Sequence, residues 1–376
     1  MALDMMLVNL FMEVFSMNDS KKNIIAISKI IVFIILFIIV FIVLTYIMKP
    51  INVNLKNITG FYGEPENSLD MVYIGGSAAF VYWQPLKAYE DSGIVSYNFA
   101  INSVQAENYI YMIKEILKTQ NPNLIVLDAR AFQYRDDEER GPDSVRYYNF
   151  TTGLPFSKNR YEYIENNVPK YLGEDTLAFH FDLIKYHTNR DELDIKTSLK
   201  MMLGTYKNEY KGAAIYQRVA PIKKQDLKTN NRTSLSLETE KILIELLEYI
   251  KTIDCEFLFV VSPYSMPKED IEKFNYIEEK IENNGFKFLD VNEYYDEMQL
   301  DFNTNFYDMN HVNIFGAEKY TNFLESYIKK NYNLPDRRED TNYDSWDKLL
   351  KNWHKQIDKT KDKINKMIEE KDWYGA

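Results

Sequence analysis

The chain has little cysteine and no excess of basic residues, and each shortage removes a class of proteins. One cysteine, Cys255, among 376 residues excludes an internal disulfide and any cysteine-based zinc cluster. Cys255 precedes an apolar run, so we expect a buried core residue rather than a reactive thiol. The 45 Lys and Arg residues are outnumbered by 56 Asp and Glu residues, which gives a net charge of −11. No basic patch is available to neutralise phosphates, and we therefore expect no nucleic-acid partner.

Charge is absent from residues 30–48, where nearly every residue is Ile, Val, Phe or Leu. About 20 apolar residues span the hydrocarbon core of a bilayer. A cleaved signal peptide is the alternative, but the run is longer than a typical signal-peptide core and no Ala-x-Ala site follows. The flanking lysines favour a cytoplasmic N-terminus, since three precede the run and two follow it: Lys21, Lys22, Lys29, Lys49 and Lys56. The sequence therefore predicts a single-pass cell-membrane protein in contact with the lipid bilayer, with its main domain outside the cell.

Composition divides the chain into five parts. The domain contains a segment that breaks the alternation of strands and helices, and we interpret this segment as a helical insertion where specificity would be built. The final part has apolar residues at helical spacings and predicts a helix or hairpin that packs on the domain or on a partner. The predicted parts are a cytoplasmic tail (1–29, with an amphipathic or disordered segment over 1–20), a transmembrane helix (30–48), a linker (49–68), a main domain (69–334, insertion 133–228) and a C-terminal helical tail (335–376).

Apolar runs alternate with helical periods in the domain, which predicts an α/β fold with a parallel sheet and right-handed crossovers. Pro85 should distort the helix that follows the first strand. The predicted strands are 72–74, 94–99, 124–128, 257–261 and 286–290. The predicted helices are 106–119, 161–171, 177–187, 193–206, 237–253, 270–283 and 314–330.

The first strand ends in a motif that can expose a nucleophile. Two glycines and Ser77 follow the strand, and residues 78–83 can begin a helix. A strand, a tight glycine turn and a helix place a serine hydroxyl at the carboxyl edge of a sheet. The same residue types also form ordinary turns after parallel strands, so the motif needs a partner.

That partner lies more than two hundred residues later, where Asp308 precedes His311 by three residues. A serine hydroxyl is a poor nucleophile until a base takes its proton, and His311 is a candidate base for Ser77. Asp308 would hold the other ring nitrogen and stabilise the imidazolium. The alternative is that Asp308 caps a turn and His311 is a polar residue before a helix.

Together the two motifs resemble the SGNH (GDSL-like) hydrolase superfamily, which has its serine after the first strand and an Asp-x-x-His pair near its end. The resemblance covers residues 69–334. It is closest to membrane-anchored SGNH proteins of Gram-positive envelopes, including those that accompany membrane-bound O-acyltransferases and the DltD-type proteins of teichoic acid D-alanylation. The resemblance implies a three-layer α/β/α, flavodoxin-like fold and a catalytic triad of Ser77, Asp308 and His311. It implies no metal and no cofactor.

The resemblance also assigns donors for an oxyanion hole: the N–H of the serine, a glycine after the second strand and an asparagine after the third. Ala100 stands at the glycine position, and its N–H can still donate. Asp128-Ala129-Arg130 replaces the expected Gly-x-Asn-Asp. Arg130 is a substitute donor, and a structural Asp–Arg pair is the alternative. Losing one donor costs on the order of 10²-fold in rate, which favours a slow enzyme on a tethered substrate or an acyl transferase.

Two aromatic residues follow the nucleophile, and three further histidines lie elsewhere. Tyr82 and Trp83 either line a groove for the acceptor substrate or pack in the core. His180, His187 and His354 show no metal-ligand spacing with carboxylates, so we expect surface or packing roles for them.

These features predict a serine esterase or O-acyltransferase that adds, moves or removes acetyl or D-alanyl groups on a cell-envelope polysaccharide or teichoic acid. A multi-span membrane-bound O-acyltransferase would be its donor. The alternative is a non-catalytic SGNH-like assembly factor that binds the polymer and recruits such an acyltransferase. A soluble cytosolic lipase would leave the apolar run at 30–48 unexplained.

Overall fold

The core of the molecule is a parallel five-stranded sheet. A computed structural model describes residues 19–136, 143–189, 193–224 and 228–373. The strands are β1 Met71–Gly75, β2 Ser96–Ala100, β3 Leu124–Asp128, β4 Glu256–Val261 and β5 Lys287–Asp290. Their order across the sheet is β2-β1-β3-β4-β5, and every neighbouring pair is parallel. All residues of the first three strands are buried, as parallel strands covered on both faces require. The predicted α/β class with a parallel sheet is confirmed.

Helices connect the strands, and a short antiparallel hairpin, β6 Phe306–Asp308 with β7 His311–Val312, follows the sheet. In the part of the chain before β4, the helices are α1 Asp19–Met48, α2 Val53–Phe61, α3 Ser77–Tyr82, α4 Pro85–Ser92, α5 Asn108–Ile116, α6 Arg130–Arg135, α7 Ser144–Thr151, α8 Lys158–Asn167, α9 Leu177–His180, α10 Asp182–Tyr186, α11 Ile195–Met202 and α12 Leu237–Ile250. After β4 come α13 Lys268–Asn283, α14 Ile314–Asn331 and α15 Asp344–Glu370. Pro85 begins a new helix, as expected from its missing N–H.

The N-terminal helix α1 includes Asn23–Met48, a stretch long and apolar enough to cross a membrane. The expected segment over 1–20 lies almost wholly outside the described residues. The prediction of a linker over 49–68 is wrong, because α2 packs against β2 and α7. Leu55, Ile58 and Phe61 on α2 are buried at a spacing of three residues, and the intervening Asn and Lys residues obscured this short apolar stripe.

The segment predicted as an insertion is helical in its first part, α7 to α11, and irregular after residue 203. The predicted helix over 177–187 is two short helices that meet at Phe181. In the described part of the C-terminal segment, a short 3₁₀ helix, Thr341–Tyr343, leads into one long helix, α15, which packs on α4 and α14. Trp346 of α15 contacts the Tyr89 ring with 5.2 Å between centroids, and this apolar face covers the domain.

Glu325 on α14 is a buried carboxyl group that destabilises the fold when it is charged. Burial and the nearby negative charge of Asp91 raise its pKa to about 7. An unfolded glutamate has a pKa of about 4.3, so the folded state binds the proton more tightly and stability falls as pH rises between these values. The full shift corresponds to about 3.7 kcal/mol. Because water partly screens this charge, we expect Glu325→Gln to increase the free energy of unfolding by about 2 kcal/mol at about pH 8. At about pH 3, where the carboxyl group is protonated in both states, the gain should vanish.

Denaturant titrations of the detergent-solubilised full chain at the two pH values measure this difference. Glu339→Gln is the matched control, because Glu339 is exposed, and it should leave stability unchanged at both pH values. An equal effect of Glu325→Gln at both pH values would show that the charge of Glu325 is not the cause.

Candidate active site

Ser77 lies where the sheet changes winding direction. The chain runs from β1 to β2 on one side and then crosses to β3 on the other, so the carboxyl ends of β1 and β3 frame a crevice. Gly75 ends β1 close to Asp128, and a Cβ atom on Gly75 would lie 2.5 Å from the Asp128 Cβ. Gly76 is extended and precedes α3, so Ser77 is the first residue of that helix. The two glycines therefore permit the close turn that the serine motif predicted.

His311 and Asp308 lie opposite each other on the β6–β7 hairpin, across a two-residue turn. The Asn310 N–H donates to Asp308 Oδ1 over 2.8 Å, which holds the carboxylate toward the turn. His311 Nδ1 lies 2.9 Å from Asp308 Oδ1 and 3.0 Å from Oδ2. His311 Nε2 lies 2.7 Å from Ser77 Oγ. The fold thus joins the three predicted residues in one continuous chain of hydrogen bonds.

The Asp308 carboxyl group is set up to remain ionised. Burial acts to raise its pKa, but the hydrogen bond and charge of His311 and the backbone N–H groups of Asn310 and His311 outweigh burial and lower it. Its negative charge favours the His311 tautomer that carries a proton on Nδ1 and leaves Nε2 free to accept one. Ser77 Oγ faces that Nε2 atom, so the arrangement can remove the serine proton during nucleophilic attack.

A small pocket opens beside the serine. Its volume is about 120 Å³, well below the roughly 300–1,000 Å³ of sites that enclose drug-sized ligands. It has room for a few non-hydrogen atoms at the reacting end of a substrate. The lining residues are Gly76, Ser77, Ala78, Ser103, Val104, Asp128, Ala131, Tyr134, Asn310 and His311.

Ser103 was missed by the sequence reasoning and replaces Ala100 as the candidate donor from the loop after β2. Ala100 is fully buried at the end of that strand and does not line the pocket. Ser103 lines the pocket with a φ of 52°, an unusual conformation for a residue other than glycine. Within the described residues, the backbone N–H groups of Ser77 and Ser103 donate to no protein acceptor, so both are free to bind an oxyanion.

Arg130 does not reach the pocket, so its expected role as an oxyanion donor is not supported by its position. Its buried guanidinium donates to the Asn310 carbonyl over 3.1 Å and to the Tyr134 hydroxyl. It also lies over the Tyr264 ring, 4.2 Å from the centroid. Arg130 therefore holds the turn between Asp308 and His311, and in this way positions the hairpin.

Asp128 occupies the position after β3 where the resemblance expects part of the asparagine motif. Its carboxylate accepts the Arg130 backbone N–H over 3.1 Å, so the two residues meet through the backbone rather than through a side-chain ion pair. Burial raises the pKa of Asp128, although the charge of Arg130 and the N–H groups of Arg130 and Gly76 oppose that rise. A buried carboxyl group at the pocket wall ties the end of β1 to the start of α6.

Tyr82 and Trp83 belong to the core and do not line a substrate groove. Both are fully buried. The Tyr82 hydroxyl donates to the Asn310 carbonyl over 3.0 Å, and Trp83 Nε1 donates to Ser96 Oγ over 2.9 Å. The packing alternative for these two residues is the one that the structure shows, because the short helix α3 turns them away from Ser77.

Other reactive groups are remote from this site. Among the described residues, no cluster of three or more His, Cys, Asp or Glu side chains is placed to hold a metal ion. Cys255 is half-buried rather than fully buried, and burial raises the pKa of its thiol to about 12, which disfavours the reactive thiolate.

The chain was compared with protein-family models, curated proteins and solved structures. No protein-family model, no curated protein and no solved structure matches the chain. The interpretation of the site therefore depends on its own geometry and on the two motifs in the sequence.

Proposed function

We propose that the protein is a membrane-anchored serine esterase or O-acyltransferase of the SGNH type. The observation that carries the proposal is the hydrogen-bonded chain from Ser77 Oγ through His311 to Asp308, beside a small pocket at the switch point of the sheet. The strand order 2-1-3-4-5 is that of flavodoxin-like folds, which supports the finer fold assignment.

The reaction would proceed through an acyl-serine. Ser77 Oγ attacks the acyl carbonyl carbon while His311 Nε2 takes the hydroxyl proton. The negative charge that forms on the carbonyl oxygen is bound by the N–H groups of Ser77 and Ser103. The bond to the leaving oxygen then breaks, and that oxygen receives the proton from His311. A sugar hydroxyl, a polyol hydroxyl or water repeats the sequence in reverse and releases Ser77.

The surroundings of the triad favour a small acyl group on a sugar-containing acceptor. The volume of the pocket suits an acetyl or D-alanyl group better than a fatty acyl chain. Tyr216 and Tyr307 lie half-buried beside the triad, with 4.4 Å between their ring centroids and 5.7 Å from Tyr216 to the His311 ring. Aromatic faces of this kind present an apolar platform with polar edges, which suits a sugar ring. We therefore propose cell-envelope polysaccharide or teichoic acid as the substrate, and a multi-span O-acyltransferase as a donor.

The proposed location follows from α1. Its apolar stretch would span the membrane once, with the three preceding lysines on the cytoplasmic side. The domain with the triad would then lie outside the cell, where such polymers are exposed.

Covalent trapping tests the proposal. A fluorophosphonate should label the full chain in detergent micelles, and peptide mass spectrometry should place the adduct on Ser77, because only an activated serine attacks the phosphorus. Ser77→Ala should abolish labelling and, in cells, lower the acylation of the polymer. Ser326→Ala is the matched control, since Ser326 is exposed on α14, and it should label normally.

A non-catalytic assembly factor is the second candidate, supported by the replacement of the expected Gly-x-Asn-Asp motif by Asp128-Ala129-Arg130. Retained polymer binding with no labelling of Ser77 would favour this role. Unchanged polymer acylation in cells that hold normal amounts of the Ser77→Ala protein would reject the enzymatic proposal.

A further inference from the structure

The helices of the insertion present apolar side chains outward. Phe181 and Ile184 are 40% and 46% exposed, and Ile195 and Leu203 are 52% and 68% exposed. On α11 the buried residues are Ser198 and Met201, while the apolar Ile195 at its start is exposed. An outward apolar face of this kind marks an interaction surface.

This surface is continuous with the membrane helix. Both α10 and α11 pack against α1. The Phe181 and Phe41 rings meet edge to face with 5.9 Å between centroids. The Asn189 side chain donates to the Met48 carbonyl over 2.9 Å. The outward face of the insertion therefore begins where the apolar surface of α1 becomes covered by protein, at Phe41.

A buried ionic cluster fixes α1 to the insertion. Lys49 Nζ lies 2.9 Å from Asp182 Oδ2 and donates to the Thr152 carbonyl over 2.7 Å. Arg160 Nη2 lies 3.1 Å from Asp182 Oδ1. All three charged side chains are at most 3% exposed. Separating these charges would leave one of them buried without a partner, which costs several kcal/mol. The cluster therefore holds the end of α1 against the insertion.

The depth of this junction follows from the length of the uncharged run. Its 19 residues from 30 to 48 extend about 28 Å as a helix, which matches a hydrocarbon core of about 30 Å. Phe41 precedes Met48 by seven residues, or about 10 Å along the helix axis. Side chains that contact Phe41 thus lie at the depth of interfacial helices, about 5–10 Å into the boundary between headgroups and acyl chains.

We propose that α10 and α11 dip into the outer lipid leaflet and form, with α1, a rigid two-part membrane contact. The occupant of the surface is the bilayer itself. Lys196 and Lys200 are exposed on α11 near Ile195 and Leu203. Long lysine side chains beside apolar residues can extend toward lipid headgroups. Tyr161 is 57% exposed and stacks on His180 at the same end of the insertion, and aromatic residues are favoured at the membrane interface.

The inference depends on the membrane span and not on the catalytic role of Ser77. Its consequence is a fixed orientation of the parallel sheet relative to the bilayer. α2 follows the membrane helix directly, and its Asn57 side chain donates to the Ala100 carbonyl at the carboxyl end of β2 over 3.1 Å. The sheet edge that carries the triad is thereby held near the bilayer, so acyl groups would be exchanged close to the membrane surface.

Depth-dependent fluorescence quenching tests the proposal on the full chain in lipid nanodiscs. In a Cys255→Ser background, single cysteines replace Ile184 or Leu203 and carry a fluorophore, while the bilayer holds nitroxide lipids. Both positions should lose most of their fluorescence, and more to a nitroxide near the headgroup than to one at the chain end. Ile35→Cys, within the apolar run of α1, is the positive control. Asp254→Cys is the negative control, because Asp254 is exposed at the amino edge of the sheet, before β4.

Fluorescence at positions 184 and 203 as high as at 254 would overturn the proposal. A photo-crosslinker at Leu203 in the native membrane distinguishes lipid from a protein occupant. Adducts with lipid would support the proposal, whereas adducts mainly with a multi-span membrane protein would overturn it.

Discussion

A folded His311→Ala protein should turn over a neutral ester at least about 10³-fold more slowly than the wild type. His311 Nε2 is 2.7 Å from Ser77 Oγ, and the site offers that hydroxyl no other base at this distance among the described residues. The wild-type rate should also fall on acidification, because a protonated imidazole cannot accept the serine proton. We call this fall in rate at low pH the acid limb of the pH–rate profile. The residual activity of the variant should lack the acid limb. Initial rates on a p-nitrophenyl ester across the pH range measure both effects.

His354→Ala is the matched control for this change. His354 is exposed on α15, pairs with Glu90 over 2.8 Å and does not line the pocket beside Ser77. Its removal should leave turnover and the acid limb unchanged. The triad would have to be abandoned if folded His311→Ala protein kept wild-type turnover, or if the same acid limb persisted without that histidine.

The sheet was predictable because its central strands are short, continuous apolar runs that alternate along the chain with segments of helical periodicity. Leu124–Asp128 is buried at every position, as a strand of a parallel sheet covered on both faces is. The prediction of a linker over residues 49–68 was wrong because the helix there has no continuous apolar face. In α2 the buried face includes Asn54 and Asn57, whose side chains bond to the loop after β2 and to the end of β2. A pattern of hydrophobicity cannot reveal a helix whose buried contacts are polar.

The catalytic pair was predictable from residue type and order, but its setting was not. The spacing of three residues fits the two-residue turn between Asp308 and His311, but the sequence did not predict the antiparallel hairpin that contains this turn. That hairpin is held by the buried Arg130, which lies almost two hundred residues earlier in the chain. Contacts over such a separation leave no local signal in one sequence.

The donor Ser103 was missed, and the role of Tyr82 and Trp83 was left open, for geometric reasons. Ser103 adopts a positive φ, which the residue type does not announce, because Ser is uncommon in that conformation. Tyr82 and Trp83 follow Ser77 closely in sequence, but the intervening helix rotates each residue by about 100°. Proximity in sequence to a nucleophile therefore left a groove and the core as alternatives, and the structure shows core packing.

Replacing Asp308 by asparagine should reduce turnover by about 10²- to 10⁴-fold with little loss of stability. The amide keeps the size of the carboxyl group and can still accept the Asn310 N–H. It removes the negative charge that stabilises the imidazolium, and its NH₂ group can face Nδ1, which favours the tautomer with the proton on Nε2. That tautomer cannot accept the proton of Ser77. The remaining acid limb should shift to lower pH, because a neutral amide stabilises a protonated His311 less than a carboxylate does.

Asp296→Asn provides the matched control, since Asp296 is 96% exposed and pairs with the surface residue Lys224 over 3.0 Å. It should leave the pH–rate profile unchanged. The pKa of Asp308 lies below its usual range, so the wild-type carboxylate stays charged throughout the acid limb, and one proton should account for that limb. Wild-type turnover in folded Asp308→Asn protein would show that Asp308 only caps the hairpin turn. An acid limb that moves to higher pH would contradict the electrostatic role assigned to it, because loss of a neighbouring negative charge can only disfavour the protonated histidine.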